Sequence, residues 1–287
     1  MTLPRSTAAR LLVPAVVVAL GAPHLHAEPW HRPDVPALAA GHKADRLVRL
    51  PFAWGTPRDR QLSPELPEAG RAARGVFLSP LTIRRRGVTD VIRTLRGARM
   101  TALVTDVKDE RGMIVVPTDE PSLVATREVQ LPDPRSMTAE LHAAGIWAVA
   151  RVVCFKDGAL AEARPDLAPT DRRTGRAWRG HLGVRWVSPY MTEVQDRIVA
   201  AAREAERLGF DEVQLDYVRF PVEEEAEEAQ WPGQGEALRR FVIARLLERL
   251  DRALHVAISV DLFGLTPFHE GDPTGLGQSL DDMAPHV

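Results

Sequence analysis

Cysteine occurs once in these 287 residues, as Cys154, so no disulfide can form within the chain. A single Cys inside an apolar strand reads as inert core. No cluster of His and Cys has metal-ligand spacing, and no Gly-x-Ser-x-Gly nucleophile elbow occurs. Where a dinucleotide-binding fold would carry its glycine-rich turn, after the first predicted strand, Ser79-Pro80-Leu81 stands instead. No metal and no cofactor are therefore expected. Charge of one sign is also missing: the net charge is −2. Nothing draws such a chain to nucleic acid or to an anionic membrane surface. Lysine is confined to Lys43, Lys108 and Lys156, and tyrosine to Tyr190 and Tyr217. Two of the three lysines fall at predicted strand ends, for which chance is the plain alternative.

What is present is 45% apolar and 26% charged, ordinary for a globular enzyme of one large domain plus a tail. Residues 1–27 read as a secretory signal peptide. Arg5 and Arg10 precede the apolar run Leu11–Leu20, and Leu25-His26-Ala27 is a passable cleavage site. The run is too short to span a bilayer stably, so no membrane span is expected after cleavage. A retained N-terminal anchor is the alternative. The expected location is secreted, periplasmic or cell-envelope. Residues 28–74, rich in Pro and Arg and without a sustained period, read as a linker or N-terminal extension.

From Gly75 onward strands and helices alternate. Strands are predicted over Gly75–Ser79, Ala102–Val107, Trp147–Phe155, Glu212–Tyr217 and His255–Phe263. Helices are predicted over Val88–Leu95, Ser136–Ala144 with Ser136 as N-cap, Thr192–Leu208, Glu236–Leu254 and Gly277–Ala284. Near-continuous apolar strands joined by helices imply a parallel sheet. A closed barrel and an open doubly wound sheet both fit. The missing glycine fingerprint and the polar strand tips favour an α/β (β/α)8 TIM barrel over residues 75–287. Such a barrel needs about 250 residues, so the visible strands predict one truncated at the C-terminus after about five strands.

The strand tips carry the chemistry, because a parallel barrel builds its active site where its strands end. The second strand ends in Asp106 and Lys108, which alternation puts on one face with Val104. The third carries Arg151 and runs out to Lys156. The fourth, within GFDEVQLDYVRFP, delivers Asp216, with Tyr217 and Arg219 beside it. The fifth brings Asp261 to the rim behind the small Ala257 and Ser259. Asp216 and Asp261 are thus expected at equal depth on adjacent strands, roughly 4.8 Å apart. That pairing suits glycoside hydrolysis, which keeps one carboxyl protonated and one ionised. Arg151 or Arg219 would hold Asp216 ionised, and burial beside Leu262 and Phe263 would raise Asp261. Trp178, Trp186 and Tyr190 lie in the segment after the third strand, where aromatic rings stack on sugars or simply close the barrel mouth. Asp109 and Asp157 fit the plainer role of loop anchor or helix N-cap.

The segments RGVFLSP, ALVTDVKDERG, ARVVCFKD, WVSPY, GFDEVQLDYVRFP and ISVDLFG, with GQSLDDMAPHV, resemble the glycoside-hydrolase-like family DUF4015, in order from about Gly75 to Val287. The resemblance implies a TIM barrel distantly similar to α-amylase-type hydrolases. By position it makes Asp216 the nucleophile and Asp261 the candidate acid, where the amylase acid is usually Glu. It also implies a further strand, bearing a Ser-Pro-Met-x-Tyr-Pro-like motif, beyond the point where this chain stops, so that part of the expected site is missing and the fragment is expected to be less than a complete enzyme. The leading expectation is a glycosidase acting on a polysaccharide or oligosaccharide, with Asp106, Lys108, Arg151, Lys156, Trp186, Tyr190, Tyr217 and Arg219 lining the substrate. A non-catalytic carbohydrate-binding barrel and a cell-wall assembly protein are the rival expectations.

Overall fold

A computed structural model describes residues 67–222, 224–232, 239–268, 272 and 274–287. The predicted signal peptide, most of the predicted linker and the start of the Glu236–Leu254 helix lie outside the described residues. In chain order the elements are α1 (Glu68–Arg71), β1 (Gly75–Phe77), α2 (Pro80–Arg86), α3 (Val88–Gly97), β2 (Ala102–Lys108), α4 (Pro121–Val124), α5 (Pro134–Ala143), β3 (Trp147–Val153), α6 (Gly158–Ala163), β4 (Thr170–Asp171), α7 (Thr192–Arg207), β5 (Glu212–Asp216), β6 (Ala229–Gln230), α8 (Arg239–Ala253), β7 (Ala257–Val260) and α9 (Leu280–Met283).

Five strands form one parallel sheet in the order β1-β2-β3-β5-β7. Sequential strands joined by helices and lying side by side make an arc of a (β/α) barrel. Strand β2 is buried along its whole length and β3 nearly so, as expected of strands covered on both faces. Strand β7, at one edge, is half-buried throughout. A second, two-stranded antiparallel ladder joins β4 to β6, and so ties the loop after β3 to the loop after β5.

The outer layer follows from helical periodicity. In α7, Val194, Ile198, Ala201, Ala202 and Ala205 are buried and share one stripe, facing β2, β3 and β5. The helix stops at Gly209, whose φ of +88° is left-handed. A Cβ there would lie 2.9 Å from Thr138 Oγ1, so glycine also lets the turn approach α5. Helix α5 begins earlier than expected. Its N-cap is Asp133, whose carboxylate accepts from Ser136 N–H at 3.0 Å, with Pro134 at the first helical position. Strand β7 covers only the middle of the predicted His255–Phe263, and the last helix only Leu280–Met283 before a 3-10 turn.

Candidate active site

The register places the two candidate carboxyls side by side. Leu215 pairs with Val260, so Asp216 and Asp261 follow at the same level on adjacent strands, and Asp261 N–H donates to Leu215 O at 2.9 Å. Asp216 is held by Arg151, on the next strand over. Nε and Nη2 of Arg151 donate to Asp216 Oδ2 at 2.9 and 2.5 Å, while Nη1 donates to Asp106 Oδ1 at 2.7 Å. One guanidinium thus bridges carboxylates from β2 and β5, a fork geometry available to Arg and not to Lys. Tyr217 N–H donates to Asp216 Oδ1 at 2.6 Å.

Among the described residues no cation forms an ion pair with Asp261. Its Oδ1 accepts from Gln214 Nε2 at 2.8 Å. Burial, reinforced by the neighbouring Asp216 charge, pushes its pKa from 3.8 up to about 6, with Arg151 and the Gln214 hydrogen bond opposing. Asp106 is also pushed up to about 6: burial outweighs its Arg151 contact, and Asp109 and Glu110 add repulsion. Arg151 has its pKa raised despite burial, because the Asp216 and Asp106 charges more than offset the desolvation. Deeper in the arc, Glu212 accepts from Ser259 Oγ at 2.5 Å and from Trp147 Nε1 at 2.9 Å. These inward groups of β5 and β7 form a polar column beneath the rim.

Three expected substrate contacts lie elsewhere. The ladder shifts register between Asp106 and Lys108, so simple alternation fails there. Lys108 is wholly buried, 2.9 Å from Asp157 Oδ2, and its Nζ donates to Val153 O at 2.7 Å. It is a structural cation rather than a substrate ligand. Trp186 and Tyr190 are 1% and 3% exposed. Trp186 packs edge-on against Tyr217 at 5.7 Å, and Tyr190 packs against Phe220 at 5.5 Å in a separate row of rings that continues through Trp231 to Trp178. They fill the mouth instead of offering a face to a sugar ring. The loop roles of Asp109 and Asp157 are as read: Asp109 accepts from Arg111 and Met113 N–H, and Asp157 caps α6 through Leu160 N–H.

Lys156 and Arg219 remain at the rim around Tyr217. Lys156 Nζ donates to Glu110 Oε2 at 2.9 Å, a contact that holds the Glu110 carboxyl below its usual range. Among the described residues no group of three or more His, Cys, Asp or Glu side chains is placed to hold a metal ion, and no helix is long and apolar enough to cross a membrane.

A parallel α/β arc with carboxyl groups gathered at its strand ends is the frame of the (β/α)-barrel glycosidases. The chain belongs to one family within that class: the family model "DUF4015: Putative glycosyl hydrolase domain" matches residues 75–287. Among solved structures, a hypothetical protein from Ruminiclostridium thermocellum ATCC 27405 is 26% identical with a TM-score of 0.58, covering 66% of this chain and 98% of that one. The α-L-fucosidase isoenzyme 2 from Paenibacillus thiaminolyticus shares the fold at 16% identity with a TM-score of 0.53. That likeness covers 75% of this chain, which spans only 34% of the fucosidase. Among curated proteins none matches the sequence.

Proposed function

We propose that this domain is a glycoside hydrolase acting on a cell-envelope or extracellular polysaccharide, with Asp261 as general acid and Asp216 as the carboxylate that meets the anomeric carbon. The observation that carries this reading is the asymmetry of two neighbouring carboxyls. Asp216 is ion-paired to Arg151, whereas Asp261 is sheltered, bonded to an amide and raised to about 6. Carboxyls given such different surroundings can divide acid and base duties.

Asp261 in its neutral form gives its proton to the glycosidic oxygen as the bond to the anomeric carbon breaks, and Asp216 forms the new bond to that carbon. Water then attacks, losing a proton to Asp261 and releasing Asp216. Neighbouring strands lie about 4.8 Å apart, which suits the roughly 5–5.5 Å carboxyl separation of such a double displacement. Asp106 and Arg151 fix Asp216 and line the floor, while Lys156, Tyr217 and Arg219 contact substrate at the rim. Trp186 and Tyr190 are buried and so offer no face to a stacked sugar of the kind a pure binding module would hold. We place the protein outside the cytoplasm, with residues 1–27 as its leader; N-terminal sequencing of the exported protein checks this, and an intact terminus would instead mean a retained anchor.

The test is release of reducing ends from a panel of cell-envelope and exopolysaccharides. Asp216→Asn and Asp261→Asn should each lower turnover on the order of 10³-fold or more, with Asp216→Asn still binding glycan. A wild-type protein that binds glycan and never releases sugar would leave only the binding-module reading.

A further inference from the structure

Tyr217 follows Asp216 with φ of +49°, a left-handed backbone for a residue that carries a Cβ. Such a conformation is strained and persists only where the surroundings enforce it. Here Tyr217 N–H donates to Asp216 Oδ1 at 2.6 Å, and Tyr217 O accepts from Phe155 N–H at 3.3 Å. The turned residue brings its ring within reach of two cations. Lys156 Nζ lies 4.6 Å from the ring centroid and the Arg219 guanidinium 5.3 Å from it. Arg219 also stands 5.7 Å from the Trp186 ring and 5.5 Å from the Phe263 ring.

Aromatic faces orient a cation while leaving its N–H groups able to donate to a ligand. Two positive groups are therefore collected next to the candidate catalytic Asp216 by the half-buried Tyr217 and Phe263 rings and the buried Trp186 ring. The Lys156 contact shows what they suit. Its acceptor is the Glu110 carboxylate, 58% exposed on the loop after β2, while Lys156 itself is only 15% exposed. A solvent-facing carboxylate resting on a sheltered ammonium is an arrangement a substrate carboxylate can reproduce. A third donor lies in the same cluster: Trp186 Nε1 is buried and has no hydrogen-bond partner.

We propose that Lys156, Arg219 and the Tyr217 ring form a subsite for the carboxylate of an acidic sugar, a uronic-acid unit, with Glu110 holding the place until substrate displaces it. The proposal rests on the glycoside-hydrolase reading and narrows its substrate. Arg219, whose Nη1 donates to Phe220 O at 3.0 Å, adds a guanidinium charge beside the compact ammonium of Lys156, and a substrate carboxylate would enter by exchange with the groups these cations already hold.

The test is calorimetric titration of the full chain with short oligomers of galacturonate, glucuronate and mannuronate, each alongside its neutral methyl ester. At least one oligomer should bind tenfold or more tightly as the acid than as the ester. Lys156→Gln and Arg219→Gln should each remove most of that preference by weakening acid binding far more than ester binding, while Glu110→Gln should strengthen acid binding severalfold. If Arg219→Gln lowers the melting temperature, Lys156→Gln and the charge-keeping Arg219→Lys decide the outcome. Equal binding of acid and ester in every pair overturns the inference while leaving the glycosidase reading intact, as does a preference that survives loss of both cations. Failure of every oligomer to bind in either form overturns both.

Discussion

Two charged clusters stand a few residues apart at the ends of the same strands, and they are built to opposite purposes. In the first, Lys108 pairs with Asp157 at 2.9 Å, with the two side chains 0% and 1% exposed. Arg197 from α7 approaches the same carboxylate at 3.8 Å and donates to Ser122 O and Thr126 Oγ1. The packing leaves no room for change: a Cβ on Gly112, at φ +87°, would sit 1.8 Å from Asp157 Oδ1. In the second, Arg151, Asp106 and Asp216 keep side-chain exposures of 16%, 10% and 20%. This cluster has two carboxyls within reach or alongside, Asp106 and Asp261, that are raised to about 6. Residue type and strand position are alike in the two. What separates them is whether the charges are spent on the fold or left partly open to a ligand.

The sharpest way to break the comparison is Lys108→Met. It strands the Asp157 charge in a sealed interior and should cost about 3–5 kcal/mol of unfolding free energy in urea titration. A loss under about 1 kcal/mol would show that the sealed cluster is not structural. Arg151→Met should cost less, about 2 kcal/mol at pH 7, because water reaches the carboxyls it leaves behind. That loss should shrink as pH falls below about 6 and Asp106 takes up its proton. Equal costs for the two variants would erase the distinction. The smallest effect is expected for Asp261→Asn, and it has the opposite sign. The native pKa of Asp261, about 6, lies above its ordinary 3.8. The folded state therefore binds this proton more tightly than the unfolded chain. Stability is full below pH 3.8, falls as pH rises to about 6 and is level beyond. Asparagine keeps the amide contact without the charge, so melting curves should show a gain of about 1–2 kcal/mol at pH 8 and none at pH 3. A destabilised variant at pH 8 would mean that Asp261 is not a strained acid.

Elements with long, clean periods were legible to within a residue or two. Strand β2 was expected over Ala102–Val107 and runs to Lys108, and α7 was expected to Leu208 and ends at Arg207. The family motif reached the same arc of the barrel. Short elements held by local chemistry were not legible. Helix α2 is announced only by the Ser79-Pro80 cap and then runs through Arg84, Arg85 and Arg86, which carry no apolar stripe. The β4–β6 ladder has two residues a side, too few for any pattern. At the site, strand alternation anticipated that Asp216 and Asp261 would stand level on adjacent strands, because inward groups of parallel strands stay in step. It failed for Lys108, because a register shift breaks the step after Asp106. It failed for Trp186 and Tyr190, because sequence spacing says nothing about whether a loop aromatic looks outward or folds under. The bridging role of Arg151 between Asp106 and Asp216 lies across three strands and becomes visible only with their order.

The small ladder between Thr170–Asp171 and Ala229–Gln230 has a mechanical consequence. It stitches two long excursions of the chain into one panel, stiffened behind by the Trp178, Trp231, Phe220 and Tyr190 rings. Neither excursion can swing aside alone. A residue altered beside Thr170–Asp171 therefore bears on Ala229–Gln230 as well, although the two lie far apart in the chain.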